Sequence, residues 1–598
     1  MATATTPKVI PGGTFLLTDA APDDIFTPED FSDEQQEIAR ATAEFAEKSI
    51  VPRLAEIEAK NFAVTRELLR EAGSLGLMAA DIPEQYGGLA LDKVTAALIS
   101  DRIAVSASFS VSFSAHTGIG TLPVIWYGTP AQKEKYLPRL ASGEWIAAYA
   151  LSESSSGSDA MNIRAQARLS ADGKQYILNG EKMWISNAGF ADLFIIFAKI
   201  AGEPGQPEQF SAFLVERDAP GLTIGAEEHK LGIRGSSTCP LVLSDCAIPV
   251  ENLLGEAGKG HHIAFNILNV GRYKLGAATL GGARNSLRTA IKYGKQRMAF
   301  GKPITSFGLI QEKIAEAAAG IFAGEALVYR VVGAIDAALA ALGPDAPAAE
   351  VQKRIEDYAV ECSIVKVWCS EMLERVVDHS VQIHGGYGYV EEYPAERGYR
   401  DARINRIFEG TNEINRLIIT GFLLRRAMQG RLPLLPAIGK VMDEVMAGPS
   451  PRSDASGPLA AERALLASAK KLGLFCSGAA SQKYPTNLQD QQEIMGALAD
   501  MLMEILVMES AILRAEKMNQ SGNRSAALAQ SLAQLASARS FRIIQNSAER
   551  ILGAVAEGDM LRTQMTIFRR IAKHDPINTV ALGRTVAEEM IAAERYKI

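Results

Sequence analysis

The sequence predicts a mainly α-helical fold with a central β domain and a further helical domain towards the C-terminus. Helical periodicity dominates residues 32–145 and 257–430. Between them, residues 146–256 contain short β-branched and aromatic-rich runs, separated by Asn-Gly, Gly-Phe and Pro-Gly turns. A segment rich in Pro, Gly and Ser at 431–458 precedes a second helical region at 459–598. This order predicts a β domain between two helical domains, followed by a linker and an extension.

Length, charge and cysteine usage narrow the possible functions. A chain of 598 residues holds several domains, and 47% apolar with 22% charged residues is ordinary for a globular protein. The net charge of -7 argues against nucleic-acid binding. Five scattered cysteines without metal-type spacing indicate a reducing compartment. His116, His379 and His384 are not clustered with carboxylates, so no metal site is expected.

Residues 1–31 are predicted to form an N-terminal tail. They lack the basic and apolar regions of a signal peptide, and they are acidic where a mitochondrial transit peptide is Arg-rich. No apolar run approaches the ~20 residues that span a bilayer. We therefore expect a cytoplasmic protein that is not integral to a membrane.

The first helical domain opens with a capping signal. Ser32 is followed three residues later by Gln35, which is the spacing of a capping box. The apolar stripe that follows reaches Ile50 and is interrupted by Pro52. Helical patterns with glycine punctuation then continue to about Glu144.

Two features stand out after residue 430. The run AIGKVMDEVM (437–446) forms a short amphipathic segment within the linker. Because Lys440 is its only basic residue, the sequence predicts at most weak peripheral contact with a membrane. Ile494, Leu498, Leu502, Ile505, Met508 and Ile512 form a stripe along one long helix. Such a stripe needs apolar cover and is typical of a bundle core.

The run FEGTNE (408–413) holds the strongest candidate for a catalytic group. Glu409 stands between Phe408 and a glycine turn, and Thr411 is placed to cap a helix whose Ile414 begins an apolar stripe. A carboxylate in an apolar setting has a raised pKa and can act as a general base. The alternative, which the local pattern alone favours, is a solvated loop glutamate.

Two runs in the β domain carry candidate cofactor contacts. AYALSESSSGSD (148–159) offers hydroxyl and backbone N–H groups to a polar ligand, although alone it is more typical of a plain turn. In EKMWISNAG (181–189), Trp184 offers a flat apolar face and Ser186 a hydroxyl beside it. A buried core tryptophan is the alternative for Trp184.

Two further runs lie in the second helical domain. Arg297 can bind a pyrophosphate through two hydrogen bonds, and Phe300 can pack on adenine, although a surface arginine and a core phenylalanine are equally open. Gly385 and Gly386 can be a helix C-cap. They lack the GxGxxG spacing of a Rossmann turn, so NAD binding is not indicated.

Together these runs resemble the acyl-CoA dehydrogenase family. FEGTNEINRLI resembles the segment with the family's catalytic base, the two β-domain runs resemble its flavin-contacting segments, and the run beginning at Arg297 resembles its RxxFGxxI signature. The length, KMWISNAG, FGLIQEK and the extension look like the very-long-chain subgroup. The resemblance implies the acyl-CoA dehydrogenase fold, with an α-helical domain, a β-barrel-like domain and a four-helix-bundle domain, here followed by a C-terminal helical domain.

The resemblance also implies roles for individual residues. Glu409 is implied as the catalytic base. The positions implied to contact FAD are Tyr149, Leu151, Ser152, Ser158, Trp184, Ser186, Arg297, Phe300, Gln311, Gln382, Gly385, Gly386, Thr411 and Glu413. The positions implied to contact the acyl-CoA substrate are Ser158, Arg272, Phe408 and Gly410. For Arg272, which is expected at a helix start, a surface residue or an ion-pair residue is the alternative.

The chain departs from the family pattern at two places. Ser154 stands where many members have proline, which should loosen the loop. Gly308 stands where medium- and short-chain members carry glutamine, and Gln311 follows three residues later.

In the segment aligned with the bottom of the acyl pocket, the residues are small: Ser110, Ser112, Ser114, Ala115 and Gly118. This predicts a medium-to-long acyl chain.

The implied reaction is α,β-dehydrogenation of a fatty acyl-CoA to the trans-2-enoyl-CoA in fatty acid β-oxidation. Glu409 would remove the α-proton while FAD accepts a hydride from the β-carbon, and electrons would pass to an electron-transfer flavoprotein. An acyl-CoA oxidase that uses dioxygen, and a family member that acts mainly as a binding or assembly protein, are the alternatives.

The family brings the Gln382–Gly386 segment to the flavin from a neighbouring subunit, so these residues are expected to act in trans with Arg297. The extension predicts a homodimer.

Overall fold

The computed structural model describes residues 9–202, 207–343, 346–447 and 457–598. The first eight residues of the predicted tail and residues 448–456 of the predicted linker lie outside this description. Over the described residues the chain forms a helical domain, a β domain, a second helical domain and an extension of further helices. The predicted fold class is confirmed.

Seven helices form the first domain: α1 Asp33–Phe45, α2 Leu54–Glu58, α3 Phe62–Ser74, α4 Lys93–Arg102, α5 Ala107–Ser114, α6 Leu122–Tyr127 and α7 Pro130–Ser142. The predicted capping box is present, since Ser32 Oγ accepts from Gln35 N at 3.1 Å and Ser32 N donates to Gln35 Oε1 at 3.0 Å. After α1 the chain makes a π turn at Ala46–Ile50 and a 3-10 turn at Val51–Arg53. Pro52 therefore interrupts the helix as expected.

Eight strands form the sheet of the β domain: β1 Ala147–Ala150, β2 Gln166–Leu169, β3 Gln175–Ser186, β4 Leu193–Ile200, β5 Gln209–Glu216, β6 Leu222–Ile224, β7 Thr238–Pro249 and β8 Leu253–Leu254. Their order is β6-β7-β3-β2-β4-β5-β8, and β1 also pairs with β4. β4 pairs in parallel with β1 and β2 and antiparallel with β5. Six of its residues, from Leu193 to Ala198, are buried, which agrees with its uninterrupted apolar sequence.

The second helical domain, called here the bundle domain, consists of α8 Gly260–Gln296, α9 Gly308–Ala340, α10 Ala348–Glu356, α11 Ala359–His384, α12 Pro394–Ala402 and α13 Asn412–Met428. A short hairpin, β9 Met298–Ala299 and β10 Lys302–Pro303, links α8 to α9. α11 ends at Gly385, whose φ of 59° agrees with the predicted C-cap. α9 is long and apolar enough to cross a membrane, contrary to the sequence expectation, but 89% of that stretch is buried inside the protein.

The extension contains α14 Leu434–Ala447, α15 Ala460–Lys483, α16 Gln492–Gln520, α17 Ala526–Val555, α18 Gly558–Ile571 and α19 Thr579–Ala593. The predicted stripe lies on α16, but this helix is buried on nearly every face between Ile494 and Ala515 because α9, α13, α15 and α17 surround it. The apolar surface of α16 is therefore wider than the single stripe that the sequence predicted. On α14, Val441 is buried and Ile438 packs at Gly478 of α15, whereas Met442 is exposed, so the apolar face is only partly covered.

The described part of the predicted tail is packed against the other domains. Gly13 N donates to Glu361 of α11 at 2.5 Å, and Lys470 of α15 donates to Thr18 O at 2.8 Å. Glu29 forms an ion pair with Arg514 of α16 at 2.9 Å. Residues 9–31 of the predicted N-terminal tail thus connect the bundle domain to the extension.

Candidate active site

A cavity of about 140 Å³ lies between α5, α8 and the turn that precedes α13. Glu409 and Phe408 form part of its wall. Ser186, at the end of β3, lines it as well, so the β domain also contributes to the cavity. The structure therefore brings together the candidate base, one candidate substrate contact and one candidate flavin contact.

Backbone geometry at Glu409 aims its side chain into this cavity. Glu409 has φ 58° and Gly410 has φ 78°, so two successive residues adopt the left-handed conformation. For Glu409 this conformation carries strain, which recurs at functional sites. Thr411 then caps α13, since its Oγ1 accepts a hydrogen bond from Ile414 N at 3.2 Å, as the sequence predicted.

The carboxylate of Glu409 lies directly against the backbone of α8 at Gly271. A Cβ atom at Gly271 would be 2.7 Å from Glu409 Oε2, so a side chain there would displace the carboxylate. Oε2 is buried and has no hydrogen-bond partner among the described residues. A buried acceptor atom without a partner costs free energy, and such atoms in native proteins point to a functional role.

Burial determines the acidity of Glu409. It raises the pKa of the carboxyl group to about 7, while the positive charges of Arg272 and Lys366 act in the opposite direction. A carboxylate with a pKa near 7 can accept a proton near neutral pH and is a stronger base than a solvated glutamate. Because Oε2 is buried, the alternative of a solvated loop glutamate is wrong.

Lys366 of α11 is hydrogen-bonded to the turn that contains Glu409 and Gly410. Its Nζ donates to Gly410 O at 2.7 Å and to Asn412 Oδ1 at 2.7 Å, and burial lowers its pKa to about 7. Asn415 Nδ2 donates to Gly410 O at 2.8 Å. Sequence reasoning missed Lys366, Asn415 and Gly271. The available signal was a lysine inside the apolar run CSIVKVWCS, since a buried lysine requires polar partners.

Arg272 differs from its expected placement at a helix start. It lies inside α8 and is buried, so the surface alternative is wrong. Its Nε donates to Glu409 O at 3.4 Å and its guanidinium to Asn269 Oδ1 at 3.0 Å. In this structure Arg272 holds the backbone of the turn and lowers the pKa of Glu409.

The β-domain candidates surround the Ser/Gly-rich loop that follows β1. Tyr149 and Leu151 are buried, Ser152 is half-buried and Ser158 is exposed. Trp184 is 56% exposed and has φ 59°, which excludes a buried core tryptophan. Its indole face is available to a ligand.

A buried ion pair that the sequence did not reveal anchors this loop to β3. Lys182 Nζ lies 2.7 Å from Glu153 Oε1 and donates to Leu151 O at 3.2 Å. Glu153 also accepts from Ala165 N at 3.0 Å. These bonds fix the loop at its base, and its tip around Gly157 stays open, with nothing within 4 Å of an added Cβ.

Arg297, Gly385 and Gly386 line a separate groove. The guanidinium of Arg297 stands 5.6 Å from the ring centroid of Tyr387. Phe300 is 94% exposed, so it is not a core residue. This groove and the Glu409 cavity share no lining residue, so a single chain does not bring these candidates to Glu409.

Four other candidates line neither the Glu409 cavity nor the groove. Gln382 is exposed near the end of α11, and Gln311 is half-buried in the first turn of α9. Glu413 is exposed at the start of α13, and hydrogen bonding, first with its own backbone, lowers its pKa. Gly410 contributes its carbonyl oxygen to Lys366 and Asn415.

The candidate FAD residues fit such a group in shape and polarity. The half-exposed face of Trp184 and the Ser186 hydroxyl suit a flat ring with polar edges. At Gly385 and Gly386 an added Cβ would meet nothing within 4 Å, so a diphosphate can approach the backbone there. Arg297 is exposed beside them with two donors in a suitable geometry.

Family models match most of the chain. The models described as acyl-CoA dehydrogenase N-terminal, middle and C-terminal domains match residues 32–144, 148–246 and 258–424. A further model, also described as an acyl-CoA dehydrogenase C-terminal domain, matches residues 468–570 of the extension.

Individual relatives agree with the family models. A probable acyl-CoA dehydrogenase of Bacillus subtilis is 44% identical over 590 residues, which cover 98% of each chain. A mouse mitochondrial very long-chain specific acyl-CoA dehydrogenase is 39% identical over 360 residues, 59% of this chain and 52% of that protein. An acyl-CoA dehydrogenase complexed with FAD from Bacillus anthracis is similar with a TM-score of 0.96 and 46% identity, covering 98% of this chain and 100% of that one. Butyryl-CoA dehydrogenase from Megasphaera elsdenii has a TM-score of 0.60 at 36% identity, covering 66% and 99%.

The pKa of Glu409 predicts how activity depends on pH. The rate of flavin reduction by an acyl-CoA should rise with pH through about 7, because only the ionised carboxylate accepts a proton. Lys366→Met removes a positive charge that lowers this pKa, so the profile should move to higher pH. Lys440→Met, on the exposed surface of α14, is the control and should leave the profile unchanged. A Lys366→Met profile that coincides with the wild-type profile, at normal flavin content, contradicts the assignment.

Proposed function

The chain belongs to the acyl-CoA dehydrogenase family and is an FAD-dependent oxidoreductase, and from this premise we propose that it oxidises medium- to long-chain fatty acyl-CoA to trans-2-enoyl-CoA in fatty acid β-oxidation. The observation that carries the proposal is the buried Glu409 carboxylate, which lines the cavity with an oxygen that has no partner among the described residues. When bound, FAD supplies the acceptor for the two electrons that leave the substrate as a hydride.

Glu409 serves the reaction in two ways. Its carboxylate takes the α-proton of the thioester, since its pKa near 7 suits a general base at neutral pH. Its backbone N–H has no acceptor in the described part of the chain, so this group is available to the thioester carbonyl oxygen. A donor placed at a developing oxyanion commonly contributes about 3–4 kcal/mol to the transition state. One residue therefore supports both acidification and removal of the α-proton.

Glu409→Gln tests this assignment. The amide cannot accept the proton, so flavin reduction by acyl-CoA should slow by at least about a hundredfold. The FAD spectrum and acyl-CoA binding should persist, because glutamine has the same shape. Glu549→Gln on the exposed face of α17 is the matched control. Stopped-flow absorbance measures the rate, and a Glu409→Gln enzyme that reduces its flavin at a wild-type rate sinks the proposal.

The cavity wall supports a preference for longer acyl chains. Ser110, Ser114, Ala115 and Gly118 line the cavity, whereas Ser112 does not. None of the four lining residues is bulky enough to block a chain. The cavity volume of about 140 Å³ has room for roughly five water-sized groups. A longer chain therefore also needs the cavity to widen when the chain binds.

Gly118 offers a way to test the chain-length proposal. A Cβ atom there meets nothing within 4 Å, so a larger side chain projects into the cavity with little strain on the protein. Gly118→Leu should lower kcat/KM for palmitoyl-CoA by tenfold or more and leave that for butyryl-CoA within about threefold. Gly118→Ala is the control. Wild-type enzyme that prefers butyryl-CoA to palmitoyl-CoA, or a variant with an unchanged profile, contradicts the proposal.

We propose an electron-transfer flavoprotein as the physiological acceptor, with dioxygen as the alternative. The fold is shared with an oxidase, since the prolyl acyl carrier protein oxidase AnaB has a TM-score of 0.58 at 30% identity. The choice therefore depends on the FEGTNE run, which resembles dehydrogenases. Reoxidation of the reduced enzyme by air-saturated buffer or by an electron-transfer flavoprotein distinguishes them. Loss of bound FAD on purification would instead favour a binding or assembly role.

We further propose a cytoplasmic homodimer whose active sites are shared between subunits. Phe300 and Tyr389 follow the groove residues Arg297 and Gly386 closely in the chain and are 94% and 87% exposed, and such exposed apolar side chains suit contact with a partner. The extension covers α9 and α13, which leaves less of the bundle domain open for a second dimer. Because Val441 of α14 is buried and Lys440 is the only basic residue of its run, any contact with a membrane is weak.

Mixing two inactive variants tests the shared site. If Gly386 acts in trans, a heterodimer of Glu409→Gln and Gly386→Asp subunits contains one site without either substitution. After random mixing, about half of the dimers are heterodimers, and each of these has one intact site out of two. Mixing should then restore roughly a quarter of wild-type activity. Each variant mixed with itself is the control. No recovery from mixtures that light scattering shows to be dimeric, or a stable tetramer, contradicts the proposal.

A further inference from the structure

A second and larger cavity, of about 710 Å³, lies between the bundle domain and the extension. Its walls come from α9 and α11 on one side and from α17 and α19 on the other. It shares no lining residue with the Glu409 cavity. The reaction proposed above gives this cavity no role.

One wall of this cavity is apolar because α9 carries small residues there. Ala315, Ala319, Gly320 and Ala323 recur at helical spacing and line the part of the cavity that follows this helix, called here the channel. From Leu309 to Ala323 the helix rises about 21 Å, which is long enough to accompany an extended acyl chain. Met372 and Leu535 continue the apolar surface on α11 and α17. At the mouth, Leu309 and Val580 are 75% and 63% exposed.

In addition to its apolar wall, the cavity contains a cation that has no ion-pair partner. Arg375 of α11 lines it, and no described residue forms a hydrogen bond or an ion pair with its guanidinium, which lies 5.9 Å from the ring of Trp368. Burial, followed by the charge of Arg539, lowers the pKa of Arg375 to about 10, so the group remains cationic at neutral pH. Arg375 is half-buried, and a cation that is partly removed from water without an ion-pair partner attracts an anion.

The carboxylates near Arg375 are already bonded to other residues. Glu371 pairs with Arg416 at 2.8 Å, and Glu374 pairs with Arg406 at 2.5 Å. Glu504 accepts from Ser540 at 2.6 Å and from Arg539 at 3.3 Å.

Charges nearer the mouth add to the positive character. Arg542 and Arg584 line the cavity without an ion pair to any described residue. Glu316 is bonded to His379, so Glu312 is the one lining carboxylate in the described chain that lacks a polar partner. The cavity therefore has an excess of positive charge in addition to its apolar wall.

We propose that this cavity binds an anionic amphiphile, with its carboxylate or phosphate group at Arg375 and its acyl chain along the small-residue face of α9. A guanidinium binds either anion through two parallel hydrogen bonds. A purely apolar ligand leaves Arg375 unpaired, and a small anion leaves the channel along α9 uncovered. An amphiphile satisfies both, and it contacts the bundle domain and the extension at once.

Binding to purified holoenzyme tests this proposal with four probes: palmitate, hexadecyl phosphate, hexadecanol and inorganic phosphate. Calorimetry should give one site for at least one of the two amphiphilic anions, with affinity tenfold or more above that for hexadecanol or phosphate. A preference for palmitate identifies a carboxylate ligand, and a preference for hexadecyl phosphate identifies a phosphate ester. Equal affinity for hexadecanol, equal affinity for phosphate, or no saturable binding overturns the proposal.

Variants and crosslinking locate the site. Arg375→Gln should weaken binding tenfold or more, since a charge-assisted hydrogen bond is lost. Ala319→Phe fills the channel and should abolish binding even if Arg375→Gln folds poorly. Arg562→Gln, on exposed α18 outside the cavity, is the control. A palmitate with a photoreactive diazirine near its end should label α9, α17 or α19. Labelling confined to residues 104–119, or variants that bind like wild type, overturns the assignment.

Discussion

The contact between the Glu409 carboxylate and the backbone of α8 is the constraint on which the candidate site depends. At Gly271 an added Cβ would lie 2.7 Å from the carboxylate, so a side chain there would displace the carboxylate from its position. The turn reaches that position only because Glu409 and Gly410 both adopt positive φ. Burial against α8 then raises the pKa of Glu409 to about 7, and Lys366 fixes the turn through Gly410 O. The contact with α8 thus determines both the position and the basicity of the Glu409 carboxylate.

A buried ion network holds the surrounding domains in place. Glu325 of α9 accepts from Arg284 of α8 at 2.7 Å, from Arg514 of α16 at 2.8 Å and from Tyr596 at 2.9 Å. Arg514 also pairs with Glu29 of the N-terminal segment. Removing one member of such a network leaves a buried charge without a partner, which typically costs about 3–5 kcal/mol. The N-terminal segment, the bundle domain and the extension are therefore coupled, and α8, which carries Gly271, belongs to this rigid part.

Local sequence signals predicted the features that depend on neighbours in the chain. The capping boxes and caps at Ser32, Thr411 and Gly385 follow from turn chemistry, and the α–β–α order follows from periodicity. Features that depend on distant residues were missed. Lys366 meets Gly410 across 44 positions, and the sequence around either residue does not specify the other. The stripe on α16 likewise gave no sign that four helices would surround it, because periodicity reports one face only.

The central claim is that Glu409 is a buried carboxyl group that gains and loses its proton near neutral pH. Infrared difference spectroscopy between wild-type holoenzyme and Glu409→Gln, recorded from pH 4 to pH 9, observes this group directly through the C=O stretch of the protonated acid. As the pH rises, we expect this band to disappear with a midpoint near pH 7. A midpoint near the ordinary glutamate value of 4.5 would contradict it.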